Sequence, residues 1–139
     1  MIVLDTNVIS ELMRPAPNRQ VVDWVNAQPA TSLYLTSITQ AEILHGVLLL
    51  PKGKRREAIA AAAAEVFAQD FRSRILSFDG AAAVLYANIV VHRRRLGQPV
   101  SAFDAQIAAV ARSNSAELAT RNTDDFVGCG VALINPWSA

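Results

Sequence analysis

Apolar residues in this chain follow two rhythms. Short runs of branched or aromatic side chains, Ile2 to Leu4, Leu33 to Leu35, Arg74 to Phe78, Leu118 to Thr120 and Val131 to Ile134, have the length and composition of strands buried on both faces. Between them the apolar spacing moves toward 3.6 residues, which predicts helices. Val8 to Met13 is one, stopped by Pro15 and Pro17. A second follows Asn18 as N-cap and buries Val21, Val22, Trp24 and Val25. A third starts near Ser37, with Ile38, Ala41, Ile43 or Leu44, and Leu48 as its inner stripe, until Pro51 and Gly53 break it. Glu57 to Phe71 forms the next, where an alanine run admits a close neighbour. Asp79 caps a helix from Ala81 to Leu96, whose buried side runs through Val84, Leu85 and Ile89 to His92. Gly97 and Pro99 close it, and Ser101 opens the last helix, Ala102 to Ser113. Strands alternating with helices predict an α/β fold, a three-layer sandwich in which helices flank a central parallel β-sheet of about five strands.

Length and composition narrow this picture. The 139 residues correspond to one domain, and 52% hydrophobic against 18% charged residues supplies a substantial core. No uncharged run approaches the roughly 20 apolar residues of a membrane span. Met1 falls directly before a strand, which leaves no room for a signal peptide and predicts a cytoplasmic protein. The single Cys129 has no partner for an internal disulfide, in keeping with a reducing compartment. A net charge of +1 does not announce nucleic-acid binding. Two basic clusters stand out nonetheless, Lys52 to Arg56 and Arg93 to Arg95. By themselves they read as solvated helix surface, and only an adjacent acidic metal site would make them phosphate contacts.

The polar residues that carry chemistry recur in one setting. Asp5 and Thr6 follow the first strand, Glu42 comes shortly after Ser37 at the end of the second, and Thr120 with Asn122 to Asp125 follows the fourth. Asp104 stands at the start of the last helix. In parallel sheets ligands bind outside the carboxyl ends of the strands, where strand order reverses, so these clusters are expected to meet. Helix capping explains each one singly: Asp5 before Thr6, and the capping-box spacing of Thr39 to Glu42, Ser101 to Asp104 and Asn122 to Asp125. Capping leaves open why carboxylates with no nearby Lys or Arg in sequence sit among apolar residues, where an unpaired charge is costly. The donors are all hard oxygens, and His45 and His92 are isolated, so the set suits Mg²⁺ or Mn²⁺ better than Zn²⁺. Bound to such an ion, water becomes a nucleophile fit for phosphodiester hydrolysis. Thr6 and Thr120 are placed to orient the carboxylates or that water.

Leu4-Asp5-Thr6-Asn7, Ala41-Glu42, Asp104 to Ala108, Thr120 to Phe126 and the closing Asn135-Pro136-Trp137 resemble the PIN-domain ribonucleases, specifically the VapC toxins and their FitB-like branch. The resemblance spans nearly the whole chain and implies a single PIN domain over residues 1–139. It further implies a metal-dependent endoribonuclease, the toxin of a toxin-antitoxin pair, acting as a homodimer and inhibited by a small antitoxin that lays an apolar segment in a groove between helices. On this match Asp5, Glu42 and Asp104 are the core acids, with Asp5 and Asp104 in direct contact with metal. Asn7 and Asn122 join Thr6 and Thr120 behind them. Asn122 departs from the fuller acidic pattern, which carries Asp at that position, and Asp125, or else Asp124, would supply the missing charge. With RNA as substrate, Arg14, Arg121, Lys54 and Arg55 become candidate phosphate contacts.

Two other readings compete. Receiver domains and aspartyl phosphatases share the size, the sheet and an acidic Mg²⁺ pocket, but they use a nearby Lys, and the phosphatase motif wants Asp where this chain has Asn7. A PIN-like binding module of weak catalysis, acting through a partner or nucleic acid, is the alternative that Asn122 keeps open.

Overall fold

The computed structural model describes every residue from Met1 to Ala139. Its elements in order are β1 (Ile2–Leu4), α1 (Thr6–Leu12), α2 (Arg19–Ala27), β2 (Leu33–Thr36), α3 (Ser37–Leu49), α4 (Lys54–Glu65), β3 (Ile75–Leu76), α5 (Gly80–Arg95), α6 (Ala102–Ser113), β4 (Glu117–Ala119) and β5 (Leu133–Ile134). A π-helical turn, Val66–Asp70, extends α4, and 3₁₀ turns occupy Ala30–Ser32 and Thr123–Phe126. All strand pairs are parallel, in the order β3-β2-β1-β4-β5. The chain therefore builds outward from β1 in one direction, then returns to β1's other side with β4, and the reversal point lies between β1 and β4.

Alternation along the strands sorts the core into two slabs. Ile2 and Leu4 of β1 and Leu33 and Leu35 of β2 face Val8, Ile9, Val21, Ile43 and Ala63 on α1 to α4. Val3 and Leu118 face the opposite side, where α6 buries Ala105 and an unbroken run from Ile107 to Ala111 beside Ala82 and Ile89 of α5. The result is the expected three-layer sandwich. No helix is long and apolar enough to cross a membrane. Cys129 is buried and unpaired.

Several local expectations change. Asn18, Asp79 and Ser101 cap α2, α5 and α6 through their side chains, as their sequence positions predict. Helix α3, however, is capped by Thr36, whose hydroxyl accepts from the N–H of Thr39, so Thr39 to Glu42 is not a capping box. The turn at Thr123–Phe126 has no side-chain cap either, and Asn122 contributes only its carbonyl, to the N–H of Asp125. Along α3 the buried positions are Thr39, Ile43 and Val47, one clean i, i+4, i+8 stripe, whereas Ala41 and Leu48 point outward. Side chains at the helix start, tied to α1, set that phase. Helix α4 begins three residues early because Lys54, Arg55 and Arg56 are good helix formers, and it relaxes into the π turn that tucks Phe71 into the core. On α5 the inner stripe is Ala82, Ile89 and Arg93, while Val84 and His92 are exposed.

Arg93 is the largest correction. Expected on a solvated face, it is only 4% exposed, and its guanidinium donates from Nε to the carbonyl of Gln98 at 2.6 Å and from Nη1 to that of Val127. Four residues beyond Ile89, it continues the buried stripe of α5. One charged side chain thus closes two loops, the one after α5 and the turn after Phe126.

Candidate active-site cleft

At the carboxyl ends of β1 and β4, where strand order reverses, a cleft of about 530 Å³ opens. Asp5, Glu42 and Asp104 all line it, with Thr6, Asn7 and Asn122 beside them. Strand β1 carries Asp5 to the edge, α3 brings Glu42 on its second turn, and the first turn of α6 brings Asp104.

Asp5 is the most constrained of the three. It is 4% exposed; Oδ1 accepts from the N–H of Thr6 at 2.8 Å, and Oδ2 accepts from the Thr120 hydroxyl at 2.7 Å. Thr120 also accepts from Asn7 Nδ2 at 3.3 Å and from the N–H of Asn122 at 3.1 Å, so one buried hydroxyl joins three residues of the cleft wall. Burial pushes the Asp5 carboxyl up from 3.8 to about 6, against the lowering effect of its bonds from Thr120 and Thr6, and the charges of Asp104 and Glu42 push the same way. Glu42 is fixed separately: Thr6 donates its hydroxyl to Oε1 at 2.8 Å and shares a 2.9 Å bond with the hydroxyl of Thr39. Asp104, half-buried, also lies above the ordinary carboxylate range, first through desolvation and then through Asp125, while the Ser101 hydroxyl bond and Arg93 lower it. Ser101 holds the backbone of Asp104 by accepting from its N–H at 3.2 Å.

No Lys or Arg bridges Asp5, Glu42 or Asp104, because the two ion pairs of the protein are Arg14 with Glu11 and Arg19 with Asp23. No three His, Cys, Asp or Glu side chains stand close enough to share an ion as they are placed. Unneutralised carboxylates repel by roughly 4 kcal/mol at 4 Å in a medium of effective dielectric about 20, so like charges lining one cleft disfavour close approach. An all-oxygen donor set around a buried carboxylate with no internal cation suits a hard divalent ion.

The remaining predicted residues divide. Arg14 and Arg121 line the cleft, and Arg14 is engaged with Glu11. Asp125 and Asp124 are exposed and outside the lining, so Asp125 acts on Asp104 from a distance. Arg55 lines a neighbouring groove of about 660 Å³ between α1, α3 and α4, which meets the cleft at Thr6, Ser10, Arg14 and Glu42, and Lys54 lines neither. Sequence reasoning missed Glu11, a buried acid that also accepts from the N–H of Asn18 at 3.0 Å, and Trp137, which reaches the cleft from the last residues of the chain. For Trp137 the cue was present in the Asn135-Pro136-Trp137 motif.

Comparison with known proteins bears on the fold as a whole. The family profile of the PIN domain matches residues 2–127. Toxin FitB of Neisseria gonorrhoeae is 42% identical over 137 residues, which cover 99% of this chain and 99% of FitB. The VapC ribonuclease Y4jK of Sinorhizobium fredii is 39% identical over 137 residues, covering 99% and 98%. A chain in the solved structure of FitAB bound to an IR36 DNA fragment superposes with a TM-score of 0.92 at 42% identity, over 99% of this chain and 96% of that one.

Proposed function

The chain belongs to the PIN-domain family, and we propose that it is a metal-dependent endoribonuclease, the toxin of a toxin-antitoxin pair, acting in the cytoplasm. The observation that carries this reading is the meeting of Asp5, Glu42 and Asp104, from three distant parts of the chain, in one cleft at the strand-order reversal. Asp5 and Asp104, with Glu42, would hold Mg²⁺ or Mn²⁺. When bound, the ion supplies a water of lowered pKa and offsets charge on the scissile phosphate.

The protein's own groups supply placement. Thr120 and the N–H of Thr6 leave Asp5 one orientation, and the Thr6 hydroxyl does the same for Glu42. A water oxygen bonds to phosphorus as the P–O ester bond breaks, the proton that water gives up is balanced by protonation of the departing ester oxygen, and arginine at the cleft mouth draws the phosphate in. Asn122 adds no charge to the cleft, so three acids suit a single ion, and Asp125 tunes Asp104 without entering the lining.

Two surfaces support a reading of partner and assembly. The groove between α1, α3 and α4, with Met13, Ile43, Val47 and Ile59 on its walls, fits the apolar segment of an antitoxin and leads to the acids at Glu42. On α3, Leu44, Leu48 and Leu49 stand exposed, the last two at 66% and 71%, and suit a second copy of the chain. Light scattering at micromolar concentration should give twice the monomer mass; a monomer there would refute the homodimer.

Purified, partner-free protein should cleave a structured RNA in Mg²⁺, and EDTA should stop it. Correctly folded protein that cuts no member of an RNA pool removes the nuclease reading. Retained RNA binding in that outcome would favour the binding module, the reading that Asn122 supports.

A further inference from the structure

Two arginines stand at the mouth of the cleft and are held in different ways. Arg14 lies 3.3 Å from Glu11, so its charge is engaged with a buried carboxylate. Arg121 bridges no acid, although Asp5, Glu42 and Asp104 line the same cleft. Its guanidinium carbon lies over the ring of Trp137, 5.2 Å from the centroid. Trp137 is the sole hydrophobic side chain on the cleft wall, and its body packs against the core slab on the α1 to α4 side of the sheet. The two residues are tied through Asn135, which donates from Nδ2 to the carbonyl of Arg121 at 3.4 Å and accepts at Oδ1 from the N–H of Trp137 at 2.9 Å.

A long cation beside three unpaired carboxylates tends to fold onto them, because opposite charges attract strongly at a partly desolvated site. An aromatic face competes for that cation without neutralising the acids. We infer that Trp137 is a positioning residue that holds Arg121 off the acidic cluster. The cleft then keeps its negative charge for a metal ion and offers a free guanidinium to an RNA phosphate. The phosphate half of this inference rests on the ribonuclease reading above, and the metal half does not.

The test is a Mn²⁺ titration of the whole protein without RNA, joined to anisotropy measurements of an RNA oligonucleotide in EDTA. Trp137→Leu should weaken Mn²⁺ binding roughly threefold to tenfold as Arg121 swings inward. Adding Arg121→Ala to it should restore the affinity, and Trp137→Phe, which keeps a ring, should stay near wild type. For RNA, Trp137→Leu and Arg121→Ala should each cost roughly threefold, and the double variant no more than either. Lost packing alone would not be reversed by removing an arginine, so the double variant separates positioning from damage to the fold. Unchanged Mn²⁺ binding in Trp137→Leu, a loss that persists with Arg121→Ala, or wild-type protein that binds no Mn²⁺ overturns the inference. Protein that reproduces the Mn²⁺ pattern but cuts no RNA loses the ribonuclease reading alone.

Discussion

Asp5→Asn should abolish most RNA cleavage while making the metal-free protein more stable at neutral pH. On the catalytic side, removing a full negative charge from the ion's site forfeits several kcal/mol of transition-state stabilisation, a loss of roughly 10³-fold in rate. Stability moves the other way because the carboxyl is raised from 3.8 to about 6 in the fold. Between those values the unfolded chain has released its proton and the native protein still holds it. Stability from this group is therefore present at low pH and lost as pH rises through about 6. A rise of that size corresponds to about 3 kcal/mol for a side chain that is buried. Asn never ionises and escapes that loss, but it has one acceptor where Asp5 has two. Either the N–H of Thr6 or the Thr120 hydroxyl then lacks its partner, at a cost of about 1 kcal/mol. The net gain at pH 7.5 is about 1 to 2 kcal/mol. Thermal melts in EDTA at pH 4.5 and 7.5 read it directly: wild type should lose stability between them and the variant should lose less. Equal pH slopes, or a variant that still cleaves RNA at the wild-type rate, would discard Asp5 as the strained carboxylate of the site.

Arg93→Met should cost about 3 kcal/mol, which in a chain of this length lowers the melting temperature by about 10 °C. Methionine fills much of the volume but leaves the carbonyls of Gln98 and Val127 without their charged donor. The loop after α5 and the turn at Gly128 lose their common tie. Arg94→Met, one residue on and exposed, should change stability by no more than about 0.5 kcal/mol. Similar melting temperatures for the two variants would mean that the buried guanidinium carries no structural share.

These two residues also mark where the amino-acid sequence could and could not be read. The place of Asp5 in the cleft was legible because a strand of three branched residues ends on it, and clefts open at strand ends where the order reverses. Glu42, close after the end of β2, followed from the same rule, Asp104 from its place among apolar residues with no nearby cation, and Asn18, Asp79 and Ser101 from cap chemistry. Arg93 was not, because three consecutive arginines look alike until the phase of α5 is fixed by packing. Helix α3 failed for a related reason: Ile43, Leu44, Val47, Leu48 and Leu49 make it apolar nearly all round, and only the ties from Thr39 and Glu42 to Thr6 decide which side turns inward. The outer strands were overestimated at five and four residues against two each, since their flanking residues keep strand-like composition after the ladder has ended. Asn122 to Asp125 had the spacing of a capping box but forms a bare 3₁₀ turn, which leaves Asp125 on the surface.

The brevity of those outer strands has its own effect. A sheet that tapers from a central β1 to rims only two residues long, β3 and β5, exposes almost no unpaired ladder to a passing polypeptide. At high concentration such a molecule gives neighbouring copies little to extend, so geometry at the margins, apart from surface charge, disfavours edge-to-edge fibril growth.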